Sequence, residues 1–153
     1  MRKENRHPLH WHINGQLRKL PIIGVLLGSL LAGSAQAAPL LRCQVTYAGT
    51  SYLVEATPGK DPYSVAAVDI GERFSFKAVM IGVDQPIDYI KLYVYFQTRR
   101  KDIPIHQATY LPPFTVPETA SVQPYPLTPH NYLYAGEVER ELQYQCTLQG
   151  VQP

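Results

Sequence analysis

Apolar and polar residues alternate in short runs along the chain after residue 40, and a period of two is typical of β-strands with one buried face. Leu41, Cys43 and Val45 alternate with polar residues in the first of these runs. Together the runs predict strands at residues 41–47, 52–56, 74–80, 89–97, 103–110 and 137–148.

Residues that favour turns separate the predicted strands: Gly49-Thr50, Pro58-Gly59, Asp61-Pro62 and Asp84-Gln85-Pro86. No run of ten residues after position 38 shows helical periodicity. The pattern therefore predicts an all-β protein with a single small β-sandwich. An immunoglobulin-like sandwich is one form of this prediction, and an open barrel is the alternative.

A proline-rich segment interrupts the alternation between residues 111 and 134. Its six prolines exclude a helix interior and a central strand, so the segment is predicted to be extended. Its aromatic residues Phe114, Tyr125, Tyr132 and Tyr134 favour packing against the domain, because disordered linkers contain few such residues. A cover over a sheet edge is the favoured role, and a docking ligand or lid is the alternative.

Residues 1–37 have the three parts of a secretory signal peptide. A basic stretch ends in Arg18-Lys19, an apolar run extends from Pro21 to Leu31, and Ala35-Gln36-Ala37 matches the small residues that signal peptidase accepts. We expect cleavage before Ala38, with residues 38–153 forming the mature domain in the periplasm or outside the cell. The alternative is an uncleaved membrane anchor over residues 21–38.

Charge is distributed unevenly between these two parts. The chain carries a formal charge of +2, but five of its 14 Lys and Arg residues lie in the predicted signal peptide. Residues 38–153 keep nine basic and eleven acidic residues, which gives a net charge of −2. This balance argues against a nucleic-acid partner, and contact with a membrane is expected only through the signal peptide before cleavage.

The two cysteines, Cys43 and Cys146, lie near the two ends of the mature domain. Each falls on the apolar face of a predicted strand, and export would deliver them to a compartment where disulfides persist. We therefore predict a Cys43–Cys146 disulfide. Two buried free thiols, or a redox or metal pair, are the alternatives, but no C-x-x-C spacing supports the latter.

A candidate binding surface lies on the strand predicted at residues 89–97. Ile90, Leu92, Val94 and Phe96 form one face of it, and Tyr89, Lys91, Tyr93 and Tyr95, which we call the tyrosine ridge, lie on the other. Exposed amphipathic rings in a row would suit a glycan, a peptide or a partner protein. The pattern favours the other interpretation, a central strand with both faces covered or tyrosines that pair with neighbouring strands.

No catalytic, metal-binding or nucleotide-binding motif is present in the sequence, so no cofactor is predicted. None of the serines lies in a G-x-S-x-G turn, and no glycine-rich phosphate loop occurs. His106 and His130 are the histidines of the mature domain. Together with Cys146 and Met80, these histidines are the residue types of a blue-copper site. Such sites place cysteine, histidine and methionine close together on one C-terminal loop, and only residues 147–153 follow Cys146, so no copper site is predicted.

Three stretches of the mature chain resemble small uncharacterised exported proteins of Gram-negative bacteria: Arg42-Cys-Gln-Val-Thr-Tyr47, Asp69-Ile-Gly71 and Tyr89-Ile-Lys-Leu-Tyr-Val-Tyr-Phe-Gln-Thr98. The resemblance covers most of residues 40 to 150 and implies no activity. The expected function is a non-catalytic binding or assembly module of the envelope, with another envelope protein or a glycan as partner. A small envelope hydrolase using His106 or His130 and a purely structural subunit are the alternatives.

Overall fold

The computed structural model describes residues 37–83, 86–114, 123–136 and 140–151. The predicted signal peptide, apart from Ala37, lies outside these ranges. The described residues form nine β-strands and no helix, so none of them belongs to a helix that could cross a membrane. The strands are β1 (Leu40–Tyr47), β2 (Thr50–Ala56), β3 (Val68–Ile70), β4 (Phe74–Gly82), β5 (Ile87–Gln97), β6 (Asp102–Tyr110), β7 (Tyr125–Pro126), β8 (Asn131–Ala135) and β9 (Arg140–Gln149).

Two antiparallel sheets pack face to face, which confirms the predicted β-sandwich. Sheet A has the order β2-β1-β9, and β7 and β8 both pair with the other edge of β9. Sheet B is a meander with the order β3-β4-β5-β6. Four consecutive strands in one sheet differ from the immunoglobulin order, in which each sheet combines strands that are distant in sequence. The two separate sheets also differ from the alternative of an open barrel.

The β1–β2 hairpin ends in a two-residue turn at Ala48 and Gly49. Both residues have positive φ angles, 48° and 80°, as a type I′ turn requires. This turn matches the right-handed twist of the paired strands, so the sequence register of the hairpin is fixed at Tyr47 and Thr50.

The first and last strands are neighbours, and a disulfide joins them. Cys43 of β1 lies directly opposite Cys146 of β9, with 4.0 Å between the Cα atoms, and both side chains are buried. The predicted disulfide is therefore present, and it links two strands of sheet A rather than the two sheets. Its sequence separation of 103 residues corresponds to a loop-closure contribution of about 4–5 kcal/mol to the free energy of unfolding.

The proline-rich segment contains two strands that the sequence pattern missed. β7 pairs with residues 147–148 of β9, and β8 pairs with residues 140–144. Between them, the Cys146 N–H donates a hydrogen bond to Thr128 Oγ1 over 2.9 Å. Prolines are compatible with these strands because only one of their edges is paired. The predicted cover over a sheet edge is thus confirmed for residues 123–135, whereas residues 115–122 lie outside the described ranges.

Strand β4 differs from the prediction of a half-buried strand. Its inner residues Phe74, Phe76, Ala78 and Met80 are buried as expected, but Ser75, Val79 and Ile81 on the other face are also buried. Strand β4 is central, and Gly59 extends its pairing by hydrogen bonds to Met80 O and from Gly82 N. β3 and Gly59 lie along one edge of β4 and β5 lies along the other, and these neighbours flank the outer residues of β4. The three-residue β3 was too short to show alternation.

The core between the sheets is built from the inner faces of β1, β4, β5 and β9. Ile90, Leu92 and Val94 have no exposed surface, as their alternation predicted. Across the sandwich, the rings of Phe76 and Tyr144 lie with centroids 5.2 Å apart. The inner face of sheet B is buried in the core. A ligand that binds this sheet must therefore contact its outer face or its edges.

Candidate functional site

The tyrosine ridge lies on the outer face of β5, in the middle of sheet B. Tyr89, Lys91, Tyr93 and Tyr95 are all half-buried. β5 is thus a central strand, as one alternative proposed, yet the outer side chains remain accessible. The alternating pattern correctly put all four residues on one face.

The ridge forms one side of a shallow groove with a volume of about 320 Å³. Lys77 and Val79 of β4 line its floor, since Lys77 is paired with Tyr93 and Val79 with Lys91 in the β4–β5 register. Pro62 and Tyr63 line the groove from the loop that follows Gly59. The Tyr63 side chain is 91% exposed, so this side of the groove is open to solvent.

Contacts between neighbouring side chains order the ridge. The rings of Tyr93 and Tyr95 stack at an interplanar angle of 16°, with centroids 6.2 Å apart. Lys91 Nζ lies 5.1 Å from the centroid of the Tyr89 ring, within the range of a cation–π interaction. The ridge therefore presents adjacent aromatic surfaces with an ammonium group between them.

Lys77 and Lys91 give the groove two positive charges that have no acidic partner in the described part of the chain. Among the described residues, the ion pair is Arg42–Glu55 on the outer face of sheet A, and neither Lys77 nor Lys91 lies within 4.0 Å of a carboxylate. Burial, with smaller effects of Tyr93 and Asp102, raises the pKa of Tyr95 above its ordinary value of 10.0. The Tyr95 hydroxyl is therefore protonated at neutral pH and available as a donor.

Loop residues 61–64 hold Tyr63 at the rim of the groove. The Tyr63 N–H donates a hydrogen bond to Asp61 Oδ1 over 2.9 Å, and Ser64 Oγ donates to the Asp61 carbonyl oxygen. An aspartate side chain that accepts from the backbone two residues later is a common device for fixing a tight turn. Tyr63, Pro62 and Lys77 also line the groove, although the sequence pattern did not predict them as binding residues. For Lys77 the sequence pattern was informative, because the alternation of residues 74–80 puts it on the polar face of the predicted strand.

The two histidines have separate contacts. His106 Nε2 lies 2.8 Å from the Tyr144 hydroxyl, which joins β6 of sheet B to β9 of sheet A. His130 Nε2 lies 3.2 Å from Gln143 Oε1, and its ring stacks on Tyr132. Within the described ranges, no three His, Cys, Asp or Glu side chains group to form a metal site. Neither histidine shows a hydrogen bond to an acid or to a serine, the arrangement that hydrolysis by an activated nucleophile requires.

A second aromatic group lies on sheet A, where Tyr132 and Tyr134 of β8 are 54% and 65% exposed. The Tyr134 hydroxyl donates to Glu141, and Gln143 Nε2 donates to the same carboxylate. These hydrogen bonds lower the pKa of Glu141. Because internal hydrogen bonds already occupy the polar groups of Tyr134 and Glu141, this group is a weaker candidate than the tyrosine ridge.

Comparison with protein-family models, with curated proteins and with solved structures finds no match for this chain. The groove on sheet B and its chemistry are therefore the basis for assigning a function.

The His106–Tyr144 contact predicts a pH dependence of stability. Burial holds the pKa of His106 below its ordinary value of 6.5, so the unfolded chain binds a proton at a higher pH than the folded protein does. The free energy of unfolding should fall as the pH decreases below about 6.5, and this fall should level off below the folded pKa. Urea denaturation at pH 5 to 8 measures it.

His106→Gln is the matched variant, because an amide keeps a hydrogen-bonding group beside Tyr144 without titrating in this range. The variant should show a flatter dependence on pH than the wild type, and both proteins keep His130. Parallel pH curves for the two proteins would contradict the account.

Proposed function

We propose that this protein is an exported, non-catalytic binding module of the bacterial envelope, and that its ligand or partner occupies the groove beside the tyrosine ridge. The observation that carries this proposal is the half-buried row of Tyr89, Lys91, Tyr93 and Tyr95 on the outer face of a central strand. Aromatic side chains that are partly accessible and arranged in a row are enriched at binding surfaces, because they bury a large area with little loss of conformational entropy.

The contrast between the two outer faces supports the same proposal. On sheet A, polar side chains such as Gln44 and Gln145 are exposed, and Arg42 is paired with Glu55 over 2.7 Å. This face also has a groove, about 280 Å³ in volume and lined in part by Tyr52 and Leu53, but its charged residue Arg42 already has an acidic partner. On sheet B, the groove combines aromatic rings with two lysines that have no acidic partner among the described residues.

The two rival functions have less support. An envelope hydrolase would use His106 or His130, but their hydrogen bonds are to Tyr144 and Gln143. A purely structural subunit would not require an accessible aromatic groove. Neither rival has a specific observation in its favour.

Export is the second part of the proposal, and two features support it. The arrangement of residues 1–37 is that of a signal peptide. The Cys43–Cys146 disulfide belongs to a class that persists outside the reducing cytosol. In addition, Ala37 and Ala38 are exposed and precede the first strand at Leu40, so cleavage between them would leave the sandwich intact.

Intact-mass measurement of the protein recovered from its bacterial host tests export. We expect a chain that begins at Ala38 and is lighter by two hydrogen atoms because of its disulfide. A full-length chain with two free thiols would contradict this part of the proposal and leave the groove to be tested separately.

Crosslinking to isolated envelopes tests the groove. The double variant Tyr93→Ala/Tyr95→Ala removes the stacked pair and should lose most of the crosslinked material that the wild-type protein forms, because the aromatic surface is gone. The measurement is the fraction of protein crosslinked at a fixed envelope concentration.

The matched control is Tyr132→Ala/Tyr134→Ala, which removes two exposed tyrosines from sheet A. This control should crosslink as the wild type does, and thermal melts establish that both variants are folded. Equal crosslinking of the wild type and the Tyr93→Ala/Tyr95→Ala variant would show that the groove is not the binding surface.

A further inference from the structure

We infer that the ligand of the groove is an acidic glycan, a sugar chain whose rings stack on the tyrosines and whose carboxylates meet Lys77 and Lys91. This inference rests on the proposed function of the groove as a binding surface, and it adds the chemical class of the ligand.

The two lysines supply the charge argument. Lys77 is paired with Tyr93 and Lys91 with Val79, so the lysines occupy diagonal positions on the same face of adjacent strands. Long side chains at diagonal positions lie within reach of each other, so one anionic ligand can contact both lysines. No carboxylate of the described residues forms an ion pair with either lysine.

Nearby acids are engaged elsewhere. Asp61, on the loop at the groove, accepts the Tyr63 N–H, and Asp102, at the start of β6, accepts a hydrogen bond from Ser75 Oγ over 3.3 Å. Both aspartates have structural contacts of their own. The charged side chains that line the groove itself are Lys77 and Lys91, whereas Asp61 and Asp102 lie beside it and are hydrogen-bonded to other groups.

The position of the groove favours a glycan over an extended peptide. A peptide strand gains much of its affinity from main-chain hydrogen bonds at a free sheet edge. The tyrosine ridge belongs to β5, which pairs with β4 on one edge and, from Ile90 to Gln97, with β6 on the other, so the main-chain groups of β5 beneath Lys91, Tyr93 and Tyr95 are already paired. Recognition here must come from side chains, namely ring faces, phenol hydroxyls and ammonium groups.

These side chains match the chemistry of an acidic sugar. A pyranose ring has an apolar face of C–H groups, which can lie on a tyrosine ring, and hydroxyls around its rim, which can pair with phenol hydroxyls. Its carboxylate can accept charge-assisted hydrogen bonds from a lysine. The stacked rings of Tyr93 and Tyr95 and the ammonium of Lys91 beside Tyr89 provide these groups within one groove.

Titration calorimetry with two matched hexasaccharides tests the inference. One is β-1,4-linked mannuronate, and the other is β-1,4-linked mannose, which has the same backbone without carboxylates. We expect the mature wild-type protein to bind the acidic chain about tenfold or more tightly than the neutral one. This difference should shrink as salt is added, because the charges become screened.

Two double variants test whether the positive charges of Lys77 and Lys91 cause the preference for the acidic chain. Lys77→Gln/Lys91→Gln should lose the preference for the acidic chain and remain folded, since both side chains lie on the outer face. Arg99→Gln/Lys101→Gln removes the same number of positive charges from the exposed turn before β6 and should keep the preference.

Each other outcome has a defined meaning. Equal affinity for both chains would overturn the acidic character of the ligand. Binding of poly-glutamate, lost in Lys77→Gln/Lys91→Gln, without binding of either sugar would overturn the glycan in favour of an acidic protein. If neither sugar binds while groove-dependent crosslinking to envelopes persists, the glycan inference fails and the proposed function stands; if the groove-dependent crosslinking is also absent, both fail.

Discussion

The pairing of β1 with β9 is the interaction on which the rest of the structure depends. It joins residues 40–47 to residues 142–149 through eight residue pairs, from Leu40 and Gln149 to Tyr47 and Leu142. The Cys43–Cys146 disulfide joins the strands in the middle of that register. This pair supplies the inner face of sheet A, which includes Leu41, Val45 and Leu148. Without it, the apolar face of the sheet B meander would be exposed to water, which costs about 25 cal/mol for each Å².

The division of sheet B into two faces follows from this arrangement. Its inner face is committed to the core, where Phe74 and Phe76 are fully buried. Its outer face carries side chains that do not contribute to that core, including the tyrosine ridge. The row of half-buried tyrosines on this face keeps part of its surface in water, and this is the surface that the proposed ligand would cover. The same sheet therefore supplies core residues on its inner face and groove residues on its outer face.

Much of the fold was predictable because alternation and burial coincide in the longest strands. The pattern identified β1, β5 and β9, put Cys43 and Cys146 on apolar faces, and placed the ridge residues on one face of β5. It failed where local sequence does not determine pairing. β8 pairs with β9 even though it follows a run of prolines, and Gly59, which pairs with β4, is distant from it in sequence.

The candidate site was predictable only in part for the same reason. The four ridge residues share one strand, so a period of two is enough to group them. Lys77 joins them through the register of β4 on β5, and Tyr63 joins them through a loop that returns along β4 after Gly59. Neither relation is visible in a single run of residues. The position of Lys77 near Lys91, on which the proposal of an acidic ligand depends, is therefore visible only in the structure.

Hydrogen exchange of the oxidised and the reduced mature protein tests most directly whether closure of β1 on β9 supports the whole sandwich, including the groove. Reduction of the Cys43–Cys146 disulfide should accelerate amide exchange in the central strands of both sheets, so that β4 and β5 beneath the groove lose protection together with β1 and β9. Loss of protection in β1 and β9 alone, with β4 and β5 unchanged, would contradict this account, because it would show that the sheet B meander is stable without the closed sheet A.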